Sequence, residues 1–253
     1  LIYLKLVFIK KYLNKMESII HTANSRGAAN FGWLDSKHTF SFGRYYNPER
    51  VHFGALRVLN DDIVQGGMGF GTHPHDNMEI VSIPLQGDLE HQDSAGNTEV
   101  IKSGDIQIMS AGTGLTHSEY NHSKTNKVNF LQLWVLPKKQ NITPRYEQKS
   151  FPLTNRKNKL TTVVSPSDPQ AVWINQDAAF TLGHLDEGKK LTYDIQFSGN
   201  GVYVFVTEGA GDVNGLILDQ RDGAGFESVD QINILAKKEM QLLIVEVPMV
   251  RLG

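Results

Sequence analysis

The chain has 253 residues, enough for one large domain or two that each bury a core of their own. With 25 Lys and Arg against 27 Asp and Glu, its formal charge of −2 supplies no basic field for neutralising phosphates, which argues against direct nucleic-acid binding. The absence of cysteine excludes disulfides, thiolate metal sites and cysteine nucleophiles, and it fits a cytoplasmic protein whose metal ligands, if any, are His, Asp, Glu or water.

Leu1 to Lys15 are apolar and basic and precede the first methionine, Met16. The apolar run comes first and Lys10-Lys11 follows, the reverse of a secretory signal, and no small-residue cleavage site comes after it. Residues 1–15 therefore read as a non-native or flexible leader. No other stretch approaches the roughly 20 apolar residues of a membrane span, so no membrane association is expected.

From Val51 onward, short apolar runs are cut by glycine and turn residues: Gly54 to Leu59, Met78 to Leu85, Ile106 to Met109 and Val128 to Val135. Such spacing predicts an all-β sandwich or barrel. Asn141 to Glu147 contains Pro144 and reads as a connector, and Thr154 to Lys159 is polar, which places a boundary near Ser150. Beyond it the grammar repeats, in Leu191 to Phe197, Val202 to Val206, Ile232 to Leu235 and Leu242 to Val247. The chain thus divides into a first domain over 16–150 and a second, of similar design, over 151–253. After residue 122 the only histidine is His184, so a metal is expected in the first domain alone.

Two motifs carry the chemistry. His73-Pro74-His75 offers two imidazoles two residues apart, and His117-Ser118-Glu119 offers an imidazole and a carboxylate at the same spacing. On a strand, residues two apart share a face, so on neighbouring strands these pairs converge on one point. Imidazoles with one carboxylate suit a divalent transition metal such as iron, manganese, cobalt, nickel, copper or zinc, rather than calcium or magnesium. Glu79 has the parity of His73 and His75, so spacing alone leaves Glu79 and Glu119 both open as the carboxylate donor. His91 is a candidate for the cavity mouth, His122 reads as loop, and His38 and His184 read as structural.

The placement of Gly67, His73, His75, Glu79 and Gly87, followed by Gly104, His117 and Asn121, resembles the two-motif signature of the cupin superfamily. The runs Gly32 to Asp35, His38 to Phe42, Gly69 to His75, Glu90 to Asp93 and Met109 to Glu119 resemble the pirin family, above all its bacterial flavonol-cleaving members. The resemblance implies a bicupin of two double-stranded β-barrel (jelly-roll) domains. It implies the ligand set His73, His75, His117 and Glu119, with Glu79 and His91 as supporting neighbours, and iron as the first expectation for the metal. It further implies quercetin 2,3-dioxygenase activity in a monomer: a small aromatic enolic substrate reacts with dioxygen and loses carbon monoxide, with Glu119 as proton acceptor. Phe40, Phe42, Phe70 and Tyr120 are the candidate aromatics of the substrate cavity. The competing expectation is a metal- or redox-sensing interaction protein of the transcriptional co-regulator type. A ligand-sized cavity above the metal separates the two, because catalysis needs one and sensing does not.

Overall fold

Alternation of inward apolar side chains builds strands almost everywhere. The computed structural model describes residues 17–250 and shows no α-helix among them, so the expectation for residues 1–15 lies outside the described residues. In chain order the strands are β1 (Glu17–His21), β2 (Gly27–Asn30), β3 (Leu34–His38), β4 (Leu56–Val64), β5 (Gly69–His75), β6 (Glu79–Gln86), β7 (Leu89–Asp93), β8 (Thr98–Ile101), β9 (Asp105–Ser110), β10 (Leu115–Asn121), β11 (Val128–Val135) and β12 (Arg145–Ser150). The second half adds β13 (Lys159–Val164), β14 (Ala179–Leu185), β15 (Lys190–Asp194), β16 (Asn200–Glu208), β17 (Ala210–Val213), β18 (Leu216–Asp219), β19 (Gly223–Glu227), β20 (Gln231–Ala236) and β21 (Met240–Pro248).

The chain is all-β, as expected, and its strands pair antiparallel in their sheets, but the expectation of two double-stranded β-barrels is corrected. The strands form four open sheets: β12-β9-β6-β11-β4-β3-β2 and β5-β10-β7-β8 in the first half, β1-β19-β16-β21-β14-β13 and β15-β20-β17-β18 in the second. No sheet's edge strands pair with each other or with the facing sheet, so side chains and not backbone ladders join the two layers. In the first half, Leu34, Val64, Val128 and Phe130 of the larger sheet pack against Leu89 and Ile101 of the smaller one. In the second, Val204, Phe226 and Ile244 meet Tyr193, Val213 and Ile232.

The two large sheets then pack against each other. Val81, Ile83, Ile108, Leu131 and Leu133 from the first half share one core with Phe180, Leu182, Phe205, Leu243 and Val245 from the second. This leaves β6, β11 and β14 buried at nearly every position, because both of their faces are covered. It also assigns the faces of β6, since Val81 and Ile83 point to the junction while Ile80 and Ser82 point into the first half. β1 ties the halves further by pairing with β19, where a Cβ on Gly225 would come within 2.6 Å of the Phe53 ring.

Candidate metal centre

Three neighbouring strands, β5, β10 and β7, deliver the donors. In the register of β10 against β5, His117 lies directly opposite His73 and Leu115 opposite His75. Against β7, Glu119 lies opposite His91 and His117 opposite Asp93. The β5 register slips between His117 and Glu119, a bulge that brings the two backbones close. Gly69 permits that approach, because a Cβ there would sit 2.3 Å from the Glu119 carbonyl oxygen. Strand alternation turns His117 and Glu119 inward, and each is about 2% exposed.

The three imidazoles of His73, His75 and His117 converge, with ring centroids 4.4 to 4.9 Å apart. Their donor atoms fall within 4.8 Å of one another, as do those of a second trio, His91, His117 and Glu119, so His117 belongs to both. His73 donates from Nδ1 to the Gly71 carbonyl at 2.8 Å, which leaves its Nε2 lone pair free. Both ring nitrogens of His117 are buried without a hydrogen-bond partner, a state that a buried polar group rarely keeps unless an ion completes it. Burial, with His73 and His91 beside it, pushes the His117 imidazole down to about 3. Burial, with His117 and His73, takes His75 down to about 4. Both rings are therefore neutral at pH 7 and present lone pairs. This buried His/Glu cluster suits a divalent transition metal.

Glu119 is held from the facing sheet. Ser82 Oγ donates to its Oε1 at 2.9 Å and Gln132 Nε2 to its Oε2 at 2.6 Å, which fixes the carboxylate plane while each oxygen keeps a lone pair. Glu79 begins β6 after a turn in which Asn77 takes a positive φ of 44°, and it points the other way. It accepts from Ser110 Oγ and from the Asn175 amide of the second half, at 2.8 and 3.1 Å. His91 is fully buried, with Nε2 3.1 Å from Asp93 Oδ2 and Nδ1 unpartnered. His38 bonds Asn60 inside the first half, His122 pairs with Glu90 at the surface, and His184 pairs with Glu239 in the second half.

Above the imidazoles opens a cavity of about 860 Å³ that reaches His73, His75 and Glu119. Trp33, Phe42, Phe70 and Trp134 wall it with aromatic rings, and Phe31 stands exposed among its lining. Trp134 meets the His75 ring edge-on at 4.9 Å, and Trp33 meets Phe70 at 5.4 Å. Of the aromatics singled out from the sequence, Phe42 and Phe70 line the cavity. Phe40 is buried at the junction of the halves against His21 and Tyr203, and Tyr120 is 40% exposed on the outside of β10. Ser82, Gln132, Trp33 and Trp134 escaped the sequence reading. For the first two a signal existed, since each is a lone polar residue inside an apolar strand, Ile80-Val81-Ser82-Ile83 and Phe130-Leu131-Gln132-Leu133.

Comparison with known proteins agrees with this geometry. Residues 20–135 match the Pirin family and residues 162–247 the quercetinase C-terminal cupin domain. Quercetin 2,3-dioxygenase of Escherichia coli K12 is 41% identical over 230 residues, covering 90% of this chain and 98% of the relative. A pirin-like protein of Caulobacter vibrioides is 39% identical over 223 residues, covering 87% and 95%. Among solved structures, the bacterial pirin YhhW of Escherichia coli in complex with nickel(II) superposes with a TM-score of 0.87 at 40% identity, covering 92% of this chain and all of that one.

Proposed function

This chain belongs to the pirin family, and from that membership and the donor-lined cavity we propose that it is a quercetin 2,3-dioxygenase, a metal-dependent oxidoreductase that opens flavonols with dioxygen and releases carbon monoxide. The observation that carries the reading is the coincidence of a cluster of three imidazoles and a carboxylate with an aromatic-walled cavity of about 860 Å³ that reaches His73, His75 and Glu119. That volume falls within the roughly 300–1,000 Å³ of small-molecule sites, and a shallow sensing site would not need it.

His73, His75, His117 and Glu119 would hold the metal, iron being our first choice, and His91 would stand behind His117 and Glu119. The bound metal supplies Lewis acidity toward the substrate's enol oxygen and an electronic path between substrate and dioxygen. The chain supplies the rest. Trp33, Phe42, Phe70 and Trp134 clamp a flat ring system and exclude water from the floor. Glu119 accepts the proton of the enol hydroxyl on an oxygen lone pair, with Ser82 and Gln132 keeping the carboxylate in place as it does so. Loss of that proton readies the flavonol to give up electrons to dioxygen, and the two oxygen atoms end in the opened ester and its carboxylate as one carbon leaves as carbon monoxide.

The test is aerobic incubation of the metal-loaded protein with quercetin, following flavonol absorbance, oxygen uptake and carbon monoxide together. Their stoichiometric coupling is expected; loss of absorbance without oxygen uptake would overturn the reading.

A further inference from the structure

Resting on the flavonol reading above, we propose that Asp62, oriented by Ser36, is a specificity-determining residue that hydrogen-bonds a second hydroxyl of the substrate, carried on the ring fused to the enol ring. The argument starts from register. On the cavity side of the large sheet, Ser82 of β6 lies opposite Gln132 of β11, Gln132 opposite Asn60 of β4, and Asn60 opposite His38 of β3. This forms a continuous polar row that begins at Glu119's holders. One step along the strands, Phe130, Asp62 and Ser36 form the next row.

Asp62 is the unexplained member. It is about 3% exposed and lines the cavity with Glu119, yet it belongs to neither donor trio. Ser36 Oγ donates to its Oδ1, and the same hydroxyl lies 3.3 Å from His38 Nδ1, whose own contact with Asn60 Oδ1 is 3.0 Å. Oδ2 has no hydrogen-bond partner among the described residues, and it is not sealed off from the cavity. A carboxyl that is positioned by one oxygen and bare at the other, inside a cavity with aromatic walls, is what a site needs to recognise a hydroxyl. A site built that way rejects analogues lacking the hydroxyl, because its own polar group is then left unpaired.

Two further facts fit. Burial pushes the Asp62 carboxyl up to about 7, Ser36 opposing the shift and Asp61, Glu119 and Asp35 adding to it. A carboxyl that is neutral much of the time donates as well as accepts, which matches a phenol that does both. Asp62 is also the diagonal neighbour of Gln132, which holds Glu119, and diagonal neighbours on antiparallel strands lie roughly 7–8 Å apart, within the span of a fused ring system.

The experiment compares two flavonols bound without oxygen to the iron(II)-loaded protein: 3-hydroxyflavone, which has only the enol hydroxyl, and galangin, which adds hydroxyls on the fused ring. The wild type should bind galangin about tenfold more tightly, the size of one hydrogen bond to an otherwise unpaired buried group. Asp62→Leu should reduce that preference to near unity while leaving 3-hydroxyflavone affinity within about twofold, and Asp62→Asn should retain most of it. Should Asp62→Leu fail to fold, Ser36→Ala serves instead and should lower the preference by freeing the carboxyl. A wild-type preference near unity, or one that survives Asp62→Leu, overturns the assignment alone. Failure of both flavonols to bind the wild type overturns the flavonol reading and the assignment with it.

Discussion

Gln132→Leu isolates the support of the carboxylate without touching any of its neighbours on β10. Gln132 Nε2 donates to Glu119 Oε2 at 2.6 Å, in a site where Glu119 is about 2% exposed, so the lost bond is a charge-assisted one with little water to replace it. Hydrogen bonds to charged groups contribute about 1.5–3 kcal/mol, and at about 1.4 kcal/mol per tenfold this predicts a metal affinity lower by roughly 10- to 150-fold. Outer partners of metal ligands typically cost about 10- to 100-fold when removed, which agrees. Competition of the protein with a chelating dye for the metal measures the constant, and a thermal melt monitors the fold. Leucine matches the volume and faces Trp134 and Phe130, its neighbours on β11, so the melting temperature should move by only a few degrees. Unchanged metal affinity would refute the role given to Gln132 and with it the placement of Glu119 among the ligands.

Other outcomes follow from the same geometry. Glu119→Gln should lower quercetin turnover by about 10² to 10⁴ at matched metal content, since the amide keeps an oxygen donor but cannot accept the proton; full turnover at full metal loading would move the base elsewhere. Burial, with Arg50 nearby, takes His21 down to about 4, and its Nδ1 lies 2.8 Å from the Tyr203 hydroxyl. Its folded pKa lies below the unfolded 6.5, so the unfolded chain binds the extra proton and stability is lost as pH falls from 6.5 toward 4. Between pH 7 and 5 this amounts to about 2 kcal/mol, and His21→Asn should lack that component in urea melts; an identical pH slope in both proteins would exclude it. Glu246, fully buried, accepts from Tyr193 Oη, the amides of Gln196 and Phe197, and Asn200 Nδ2, so Glu246→Ala should destabilise by about 3–5 kcal/mol in chemical denaturation, and a loss below 1 kcal/mol would show that these donors find other partners.

The long strands β4, β6, β9, β11, β16, β20 and β21 were legible because apolar runs between turn residues mark them in either period-2 or fully apolar form. β12 was not: Arg145-Tyr146-Glu147-Gln148-Lys149-Ser150 is a polar edge strand whose partner, β9, supplies what its own side chains do not. β5 gives almost as little signal, since Gly69 to His75 sets Phe70 and Pro74 among glycines, a threonine and two histidines with no alternating apolar run. The closed barrels were an error of a different kind. Side-chain parity says which face is buried, yet it is blind to whether edge strands of facing sheets come within hydrogen-bond reach, and here they do not. Parity also misled at Glu79, because the turn at Asn77 starts a new strand, so Glu79 does not continue that of His73 and His75 and instead reaches Asn175. The i, i+2 spacing marked His73 with His75, and His117 with Glu119, as pairs sharing a face, while their meeting depends on the pairing of β5 with β10, which no spacing states. The cavity was not visible, because Trp33 and Trp134 come together only through the packing of β3 and β11 over β5.

The most direct test of the central claim is metal content and oxygen-coupled quercetin cleavage measured side by side in the wild type and in His117→Ala, the one imidazole common to both donor trios. The wild type should carry one equivalent of divalent transition metal and release carbon monoxide in step with oxygen uptake, and His117→Ala should lose both while remaining folded. Retention of metal and turnover by His117→Ala would contradict the account.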